Sequence, residues 1–552
     1  MFSEFRKECK KLVPAYASYL ELPPSGIADL ALPCFALAKE QKRAPQDIAK
    51  EIAAKIKIPR DSLVQKVEAN GPYVNFFINY AVFMPVVLKA AVKPSYGYGK
   101  KKKEKVMIES PGPNTNKPLH LGHIRNMAIG MSLSNMLKFA GYKTINVDII
   151  NDRGIHICKS MLAYQKFGKG KSPDKKPDHF VGDFYVLFAR ELEGKPGVEE
   201  ELRQALVDWE NNDTKTRALW KKMNSWAVKG MKETYDRFGM HIDKAYYESE
   251  HYLDGKKIAL AGVKTGVFKK DADGNVIADL ENHGLGKRVI LRPDGTAVYL
   301  TQDIALAIKR YKDFRMNNMI YVVGAEQIDH FRALFKIFDI LGHPFAKNCY
   351  HLAYGMVNLP EGKMKSREGT VVDADDLMNE MHKLAADEIK QRDPKISKKE
   401  LEKRAEKIGL AAIKYYILKF DALKVITYDP KVSIEFEGDT GPYLLYTYAR
   451  CKSIMRKAKI KPKAGSLGKE EEGLIKKISM FSEVVNQAAR DYKPHVVANY
   501  AFELAAIFNE YYHAVKVVGS DKESGRLALV GAIANVLKTC LDLMGIEALE
   551  KM

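Results

Sequence analysis

The sequence predicts a multidomain α/β protein whose central unit is a doubly wound parallel sheet, preceded by a small α+β unit and followed by an all-α helical bundle. Three observations support this prediction. A strand–helix–strand pattern begins at residue 106, an alternating aromatic strand lies before it, and an almost wholly helical pattern runs from residue 394 to the end. With 552 residues the chain is long enough for three or four domains, each with its own core.

The first unit is predicted to span residues 1–98. Helix-like stretches dominate it, including residues 40–56, and residues 71–79 alternate and are rich in aromatic side chains, as in a strand. A Gly- and Lys-rich run follows at residues 97–105. Because its charge keeps it solvated, this run is predicted to be a linker.

The central unit is predicted to span residues 106–390. It opens with a buried strand at residues 106–108 and continues with a helix over about residues 119–140, which Gly141 terminates. A second strand at residues 144–150 completes a right-handed βαβ unit. This order predicts the opening of a Rossmann-type nucleotide-binding sheet.

The later part of the chain is predicted more coarsely. Residues 155–285, which contain all three Trp residues, are predicted to form a mixed, mainly helical insertion. The sheet is then predicted to resume with strands at residues 289–291, 297–300 and 319–323. Residues 391–552 are predicted to form the helical bundle.

The net charge and the spacing of the cysteines limit the functions that the chain can have. The formal net charge of +20 indicates a polyanionic partner such as a nucleic acid, although cell-surface binding or mere solubility would also fit. The six cysteines are scattered without a CxxC pair, so neither a zinc site, nor any protein-bound metal, nor a disulfide framework is expected. A reduced, cytoplasmic location follows. The sequence shows no signal peptide and no apolar run of about eighteen residues, so no membrane span is expected.

The strongest local signal is Pro-Leu-His-Leu-Gly-His at residues 118–123, between the first strand and its helix. A doubly wound sheet binds ligands there, and the N–H groups of a helix end attract phosphate, to which His120 and His123 add donors. Gly122 leaves room for a nucleotide base to pack against the backbone. The pattern predicts a nucleotide site, and two surface histidines at a helix start are the weaker alternative.

The His-x-Gly-His pattern resembles the first ATP signature of class I aminoacyl-tRNA synthetases. The string before it, Glu-Ser-Pro-Gly-Pro-Asn-Thr-Asn-Lys-Pro at residues 109–118, is similar to arginyl-tRNA synthetases in particular. The resemblance continues at residues 151–154, 178–185, 299–305 and 324–330, which spreads it over nearly the full length. It implies an arginine–tRNA ligase with ATP, as its Mg²⁺ complex, L-arginine and tRNA(Arg) as partners, and nothing in the sequence indicates more than a monomer.

The resemblance also implies an arginine pocket. A guanidinium is planar and permanently charged, so a selective pocket needs carboxylates and flat hydrogen-bond partners. Asp303 and Tyr299 are expected to hold the guanidinium, since they are four residues apart and a helix that begins near Thr301 would bring them to one wall of the pocket. The residues expected to contact the α-amino and carboxylate groups of arginine are Glu109, Asn114 and Gln327.

The second ATP signature is expected in the Lys- and Ser-rich stretch at residues 362–370. Lys365 and Ser366 stand there in exchanged order relative to the usual class I loop, so the basic residue that reaches the phosphates stays open. The candidates are Lys363 and Lys365 in the stretch and Lys117, which occupies the place of a compensating lysine upstream of the His motif. Further ATP contacts are expected from Gly324, His330 and Met356.

The chemistry implied is formation of an adenylate. The arginine carboxylate attacks the α-phosphorus of ATP and magnesium pyrophosphate leaves, while His120, His123 and the basic residues stabilise the charge on the phosphates. Proximity and electrostatics supply most of the catalysis, so no side chain need act as a nucleophile. The terminal ribose of tRNA then captures the adenylate, and a class I enzyme is expected to use the 2′-hydroxyl.

The helical bundle resembles the anticodon-binding domain of the same family at residues 438–450, 508–513 and 544–552. Splayed anticodon bases stack on aromatic faces beside Lys and Arg, although core aromatics at helical spacing are an equally good interpretation of any one tyrosine. The first unit resembles the additional tRNA-binding domain of the family. The expected tRNA contacts are Asn75, Phe77, Tyr443, Tyr446, Tyr512 and Met552.

Two other functions compete with this one. A class I synthetase for cysteine would carry zinc-ligand cysteines, but the cysteines of this chain are too scattered to form such a site. A non-catalytic tRNA-binding paralogue would be expected to lose the His motif or the carboxylate at Asp303, and both are present. Whether activation strictly requires tRNA, and which tRNA bases carry identity, stay open in the sequence.

Overall fold

The first unit of the chain is built on an antiparallel sheet. A computed structural model describes residues 1–24, 26–360, 372–465 and 467–552 of the protein. Strand β3 lies at the centre of this sheet, whose order is β1-β3-β2, and it is the strand predicted at residues 71–79. The elements are α1 (Phe2–Leu12), β1 (Leu30–Pro33), α2 (Phe35–Gln41), α3 (Pro45–Lys55), β2 (Val64–Asn70), β3 (Tyr73–Ile78) and α4 (Tyr80–Ala91).

The helix predicted at residues 40–56 is two helices in the structure. Helix α2 ends where Lys42 adopts a left-handed backbone with φ 52°, and α3 begins at Pro45. Proline has no N–H to donate and a φ that fits the first turn, so it starts a helix more readily than it continues one. The prediction of one continuous helix is therefore wrong.

The predicted βαβ unit is confirmed. Its elements are β4 (Lys105–Glu109), α5 (Leu121–Phe139) and β5 (Lys143–Ile150), and β4 and β5 pair in parallel. Gly141 follows the helix with φ 94°, and a Cβ there would lie 2.0 Å from the carbonyl oxygen of Lys100, so only glycine fits. Helix α5 begins two residues later than predicted, because His120 is extended and caps it.

The range predicted as an insertion supplies an edge strand to the main sheet. Its elements are α6 (Ile155–Ala163), α7 (Pro177–Glu191), α8 (Val198–Glu210), α9 (Thr214–Phe238), β6 (Lys244–Tyr247), α10 (Glu248–Lys264), β7 (Lys269–Lys270) and β8 (Val276–Asp279), and β9 (Lys287–Leu291) follows the range. Strand β6 pairs in parallel with β5. The strand predicted at residues 289–291 lies in β9, in a separate antiparallel sheet of order β7-β8-β9, so its expected place in the main sheet is wrong. The short connection from β8 to β9 favours this local pairing.

The main sheet resumes after a helix. The next elements are α11 (Tyr299–Phe314), β10 (Asn318–Gly324), α12 (Ile328–Ile340), β11 (Cys349–Tyr354) and β12 (Val357–Asn358). The strand predicted at residues 297–300 is wrong, because α11 begins at Tyr299 and buries Leu300, Ile304 and Ala307 at helical spacing. The complete order of the main sheet is β11-β10-β4-β5-β6, with every pair parallel.

The last part of the chain is almost wholly helical, as predicted. Its elements are α13 (Ala374–Arg392), α14 (Lys398–Leu418), β13 (Ile426–Thr427), α15 (Pro430–Ser433), α16 (Gly441–Lys457), α17 (Glu472–Asp491), α18 (Pro494–Ala514) and α19 (Glu523–Leu543). Strand β13 pairs with β12 and joins this part to the central unit. Among the described residues, no helix has both the length and the hydrophobicity that crossing a bilayer requires.

Side chains on the two faces of β4 enter different cores. Val106 and Ile108 lie in a core shared with α5, the first unit and the helical bundle, whereas Met107 lies in a second core with α11 and α12. A third core joins α6, α7, α8 and α9. The carboxyl ends of the strands therefore lie between two packed layers.

Candidate active site

A cavity of about 1330 Å³ lies at the carboxyl ends of β4 and β10. The sheet grows from β4 through β5 and β6 on one side and through β10 and β11 on the other, so the strand order reverses between β4 and β10. Open parallel sheets bind ligands at such a reversal. The predicted site residues that line the cavity are Glu109, His120, Gly122, His123, Tyr299, Asp303, Gly324, Gln327, His330 and Met356.

Two imidazoles cap the amino end of α5. The Nδ1 atom of His120 accepts a hydrogen bond from the Gly122 N–H at 3.1 Å. The Nδ1 atom of His123 accepts one from the His120 N–H, also at 3.1 Å. Because each Nδ1 is an acceptor, each neutral ring carries its proton on Nε2. The helix end therefore offers two ring N–H donors, while the backbone N–H groups of residues 121–124 already donate hydrogen bonds within the protein.

Both rings are uncharged at neutral pH. Burial lowers the pKa of His120 to about 4, with a smaller contribution from the charge of Lys117. Burial and the neighbouring His120 and Lys117 lower the pKa of His123 well below its usual value. Gly122 is required here for a reason that the sequence did not show, since a Cβ would lie 2.9 Å from the His120 ring.

Asn114 and Lys117 are not among the described residues that line the cavity. Asn114 is exposed, and its backbone forms a bridge with Asn151 at the end of β5. Lys117 is half-buried and close enough to the imidazoles for its charge to lower their pKa. Lys117 therefore lies beside the capped helix end.

The stretch predicted to hold the second ATP signature, residues 362–370 with Lys363 and Lys365, lies outside the described residues. The described residues Pro360 and Val372, on either side of it in the sequence, both line the cavity.

The other end of the cavity is acidic. Tyr299 and Asp303 lie one turn apart on α11, where helical spacing places them on the same side. Asp303 is 38 % exposed, with its Oδ2 2.6 Å from Nε2 of His330, and Tyr299 is 74 % exposed. Glu109 is buried and forms an ion pair with the buried Arg310.

Sequence analysis missed Arg125, which shapes the rim of the cavity. Its side chain is fully buried on α5 and donates four hydrogen bonds of 2.7–3.0 Å to the backbone carbonyls of Gly355, Met356, Ala422 and Lys424. These partners lie 230 to 299 residues away, so no local pattern reveals them.

A second residue that the sequence did not indicate is Glu248, at the start of α10. Burial raises the pKa of Glu248 to about 7, and the charged groups near it include Asp152, Arg153 and Asp303. Arg153 Nη1 lies 3.7 Å from Oε1 of Glu248. Glu248 thus adds a carboxyl group behind the acidic end of the cavity.

One group of potential metal ligands lies in the described part of the chain and consists of Asp178, His179 and Asp375. The ammonium of Lys176 lies 2.9 Å from Asp178 and 2.8 Å from Asp375. Since an ammonium already stands between these carboxylates, the group is poorly suited to a second cation.

Aromatic and basic side chains meet on the helical bundle. Tyr446 and Tyr512, on α16 and α18, are 36 % and 37 % exposed. The Arg450 guanidinium lies 4.7 Å from the Tyr446 ring and 5.1 Å from the Tyr512 ring. Tyr443 accepts a hydrogen bond from Asn509 at 2.8 Å. Exposed rings beside a guanidinium suit base stacking.

The predicted contacts of the first unit differ in accessibility. Phe77 is half-buried beneath Lys66, whose Nζ lies 4.4 Å from the ring centre. Asn75 is only 2 % exposed, and its Oδ1 has no hydrogen-bond partner among the described residues. The structure therefore places Asn75 below the surface that its predicted role requires. Met552 is half-buried against the main core.

Family models cover three parts of the chain. The model described as tRNA synthetases class I (R), catalytic domain, matches residues 86–429, and the arginyl tRNA synthetase N terminal domain matches residues 3–78. The chain belongs to the arginyl-tRNA synthetase family. The DALR anticodon binding domain matches residues 444–552 of this family member.

Members of this family match the chain along nearly its whole length. An arginine–tRNA ligase of Treponema denticola is 44 % identical over 99 % of this chain and 96 % of its own length. One of Phocaeicola vulgatus is 42 % identical over 95 % and 93 %. The solved Thermus thermophilus arginyl-tRNA synthetase matches with a TM-score of 0.85 and 25 % identity, over 99 % of this chain and all of that one. The predicted fold class and the predicted function, arginine–tRNA ligase, are confirmed.

Proposed function

We propose that this cavity binds the Mg²⁺ complex of ATP together with L-arginine, and that arginyl-adenylate forms there before arginine passes to the 3′-terminal adenosine of tRNA(Arg). The observation that supports this best is the contrast between the two ends of the cavity. Uncharged N–H donors lie at the start of α5, and carboxylates lie at the start of α11 and the end of β4. A triphosphate matches the donors, and a guanidinium matches the carboxylates.

The start of α5 is the phosphate end of the site. His120 and His123 donate from Nε2, and the positive end of the helix dipole adds to their effect. Because both rings stay neutral, they act as hydrogen-bond donors rather than as cations. Lys117, Lys363 and Lys365 supply the positive charge that the leaving pyrophosphate requires. Gly122, Gly324 and Met356 line the remainder of the nucleotide site.

The start of α11 is the arginine end. Asp303 pairs with the guanidinium and Tyr299 lies against its planar face, an arrangement that a permanently charged, flat group favours. His330 holds the Asp303 carboxylate from the other side. Glu109 and Gln327 contact the α-amino and carboxylate groups from the cavity wall, and Arg310 fixes the orientation of the Glu109 carboxylate. Asn114, which does not line the cavity, is not part of this contact set.

The reaction needs no nucleophilic side chain. An oxygen of the arginine carboxylate attacks the α-phosphorus, a new O–P bond forms, and the bond to the β-phosphate oxygen breaks as magnesium pyrophosphate leaves with the electron pair. The 2′-hydroxyl of the terminal adenosine then attacks the arginyl carbonyl, and AMP leaves. Positioning of the two substrates and stabilisation of phosphate charge provide the rate enhancement.

The bundle and the first unit hold the rest of the tRNA. Tyr446 and Tyr512 with Arg450 provide a stacking surface for bases. Tyr443 and Met552, in the same domain, add further contacts. In the first unit Phe77 contacts the tRNA, and Asn75 lies beneath the surface at this point. The enzyme acts as a monomer in the cytoplasm, and its six free cysteines support a reducing compartment.

Pyrophosphate exchange into ATP, with each amino acid in turn and with or without tRNA, tests the proposal. We expect exchange with arginine, appearing when tRNA is added. Exchange with another amino acid would overturn the arginine pocket. Binding of tRNA without exchange under any condition would support the non-catalytic paralogue instead, and arginyl-adenylate formed without tRNA would contradict the requirement for tRNA.

A further inference from the structure

A closed network of charged side chains lies outside the cavity and joins the insertion to α13. At its centre, Lys176 Nζ lies 2.8 Å from Asp375, 2.9 Å from Asp178 and 2.7 Å from the Thr234 hydroxyl. His179 Nε2 lies 3.1 Å from Asp375. The network thus connects α7 and α9 of the insertion with the first turn of α13.

This network is tightly built. The Asp178 side chain is fully buried, and Gly230 on α9 approaches it so closely that a Cβ would lie 2.1 Å from its Oδ1. Burial by itself would raise the pKa of Asp375, but the hydrogen bonds from His179 and Lys176 outweigh it and hold that pKa at about 2. The carboxylate of Asp375 is therefore ionised throughout the neutral range. A buried, fully paired charge of this kind fixes the position of the backbone that carries it.

The backbone next to Asp375 is paired with the His motif. The Leu121 N–H donates to the Val372 carbonyl at 2.8 Å, and the Ala374 N–H donates to the Leu119 carbonyl at 2.9 Å. His120 and Asp373 therefore stand opposite each other as an antiparallel bridge.

Asp373 belongs to the network as well. Its carboxylate caps α13 by accepting from the Asp375 and Asp376 N–H groups, and it lies 3.6 Å from Nε2 of His179. The residue that faces His120 across the bridge is thus held by α13 on one side and by α7 on the other.

We propose that Lys176 and His179 are positioning residues for the ATP site, acting through the segment at residues 372–375 to fix His120 at the start of α5. The inference rests on the proposed role of that helix end in binding ATP. Neither side chain lines the cavity, so both act through Asp373 and Asp375 rather than on the substrate. The insertion thereby contributes to nucleotide binding although it lies outside the nucleotide site.

Kinetics of the full-length enzyme in the exchange reaction test this proposal. Lys176→Met and His179→Gln should each raise the KM for ATP about tenfold, the effect of weakening one hydrogen bond to a charged group. The KM for arginine should stay within about twofold of wild type, because none of the hydrogen bonds and ion pairs that define the network involves α11. Lys176→Arg, which keeps the charge and several donors, should restore most of the ATP affinity.

His382→Gln is the matched control. His382 lies on α13, the helix whose first turn the network holds, and it bridges two carboxylates as His179 does, Glu402 at 2.9 Å and Glu406 at 2.8 Å, but both partners are on α14. We expect its KM for ATP to be unchanged. An equal change in His382→Gln and His179→Gln would show general loosening of α13 and would overturn the proposal.

Two further measurements keep the test decisive. Affinity for tRNA reports whether each variant is folded, and His179→Gln decides the question if Lys176→Met does not fold. An unchanged KM for ATP in folded His179→Gln, or equal rises in the KM for ATP and for arginine, would overturn the role of the network. Wild-type protein that fails to exchange with arginine would refute the proposed function instead, and ATP affinity measured by equilibrium dialysis would then still test the network.

Discussion

The amino ends of α5 and α11 both open onto the cavity, but their side chains are held differently. At α5, His120 and His123 accept hydrogen bonds from the backbone, and the helix start pairs with the segment at residues 372–374. At α11, Asp303 contacts His330, while Tyr299 is 74 % exposed. One end of the cavity is fixed before any substrate arrives, and the other still exposes the ring proposed to cover the arginine guanidinium.

This difference separates the two tasks of the site. Stabilising charge on a phosphate depends on donors that need no reorganisation at the moment of reaction, which the capped end of α5 provides. Selecting an amino acid depends on contacts that form when the ligand binds, and ordering an exposed side chain such as Tyr299 costs part of the binding energy. Changes at α5 should therefore affect stability and turnover, and changes at α11 should affect arginine binding alone.

The largest effect is expected from Arg125→Met, which removes the link between α5 and the rim of the cavity. Because four buried backbone carbonyls lose their donor, the free energy of unfolding should fall by about 3–5 kcal/mol. Burial lowers the pKa of Arg125 only to about 10, so the side chain is charged at neutral pH and its loss also removes a buried charge. Denaturant unfolding of the full-length protein measures this change.

Arg332→Met on α12 is the comparison for that variant. Its side chain is 63 % exposed and makes an ion pair of 3.6 Å with Asp329, so little change in stability is expected. Equal losses in the two variants would show that the contacts of Arg125 do not hold the cavity rim.

The next effect concerns the donors of α5. His120→Ala removes a helix cap and one Nε2–H donor, and kcat for exchange should fall about 100- to 1000-fold, as when a preorganised donor to a developing charge is lost. His241→Ala, a change at a histidine side chain that is 74 % exposed, should leave kcat unchanged. A loss of less than tenfold in His120→Ala would contradict the role of the ring.

The pH dependence sharpens the same point. The folded pKa of His120, about 4, lies below its usual value, so the cap formed by its neutral ring is fully present above pH 6.5 and is lost as the pH falls through about 4. Wild-type stability relative to His120→Ala should therefore be constant from pH 7 to 8 and should decline below pH 6.5. A difference that instead grows with acidification would show that the ring is protonated in the folded protein.

Asp303→Asn tests the arginine end. Because a neutral amide replaces the carboxylate that faces the guanidinium, the KM for arginine should rise about 10- to 150-fold, the range for a hydrogen bond to a charged group. The KM for ATP should change little, and Asp329→Asn, whose side chain is 77 % exposed on α12, should change neither. A parallel rise in both KM values for Asp303→Asn would mean that the two ends are coupled.

The sequence was most informative where a pattern is local. The βαβ unit was predicted within two residues, because a buried strand, a run of apolar helix positions and Gly141 mark its limits. The sequence-based prediction failed at residues 297–300, where four successive hydrophobic residues suit a strand or a helix start equally well and the buried positions further along α11 decide.

Contacts between distant parts of the chain could not be predicted at all. Arg125 is one of two charged residues in α5, the other being Lys138, and only the fold brings the carbonyls of Gly355 and Ala422 to Arg125. The burial of Asn75 likewise depends on its place in the central strand of the first sheet. Most of the residues that the motif resemblance assigned to the ATP and arginine sites line the cavity. The resemblance revealed neither the neutral state of the imidazoles nor the network around Lys176.

The smallest expected effect comes from Tyr299, and it decides whether the comparison between the two helix ends holds. A ring that is 74 % exposed contributes little to folding, so Tyr299→Ala should not change the free energy of unfolding. If the ring covers the bound guanidinium, its removal should raise the KM for arginine about 2- to 12-fold, equivalent to about 0.5–1.5 kcal/mol.

Tyr299→Phe separates stacking from hydrogen bonding. A KM for arginine near that of wild type would assign the effect to the ring face, and a KM near that of Tyr299→Ala would assign it to the hydroxyl. Tyr98→Phe is the control, because this ring is 60 % exposed and contacts Phe139 rather than the cavity. A Tyr299→Ala enzyme with reduced stability and normal arginine binding would show that the start of α11, like that of α5, is fixed before the substrate arrives.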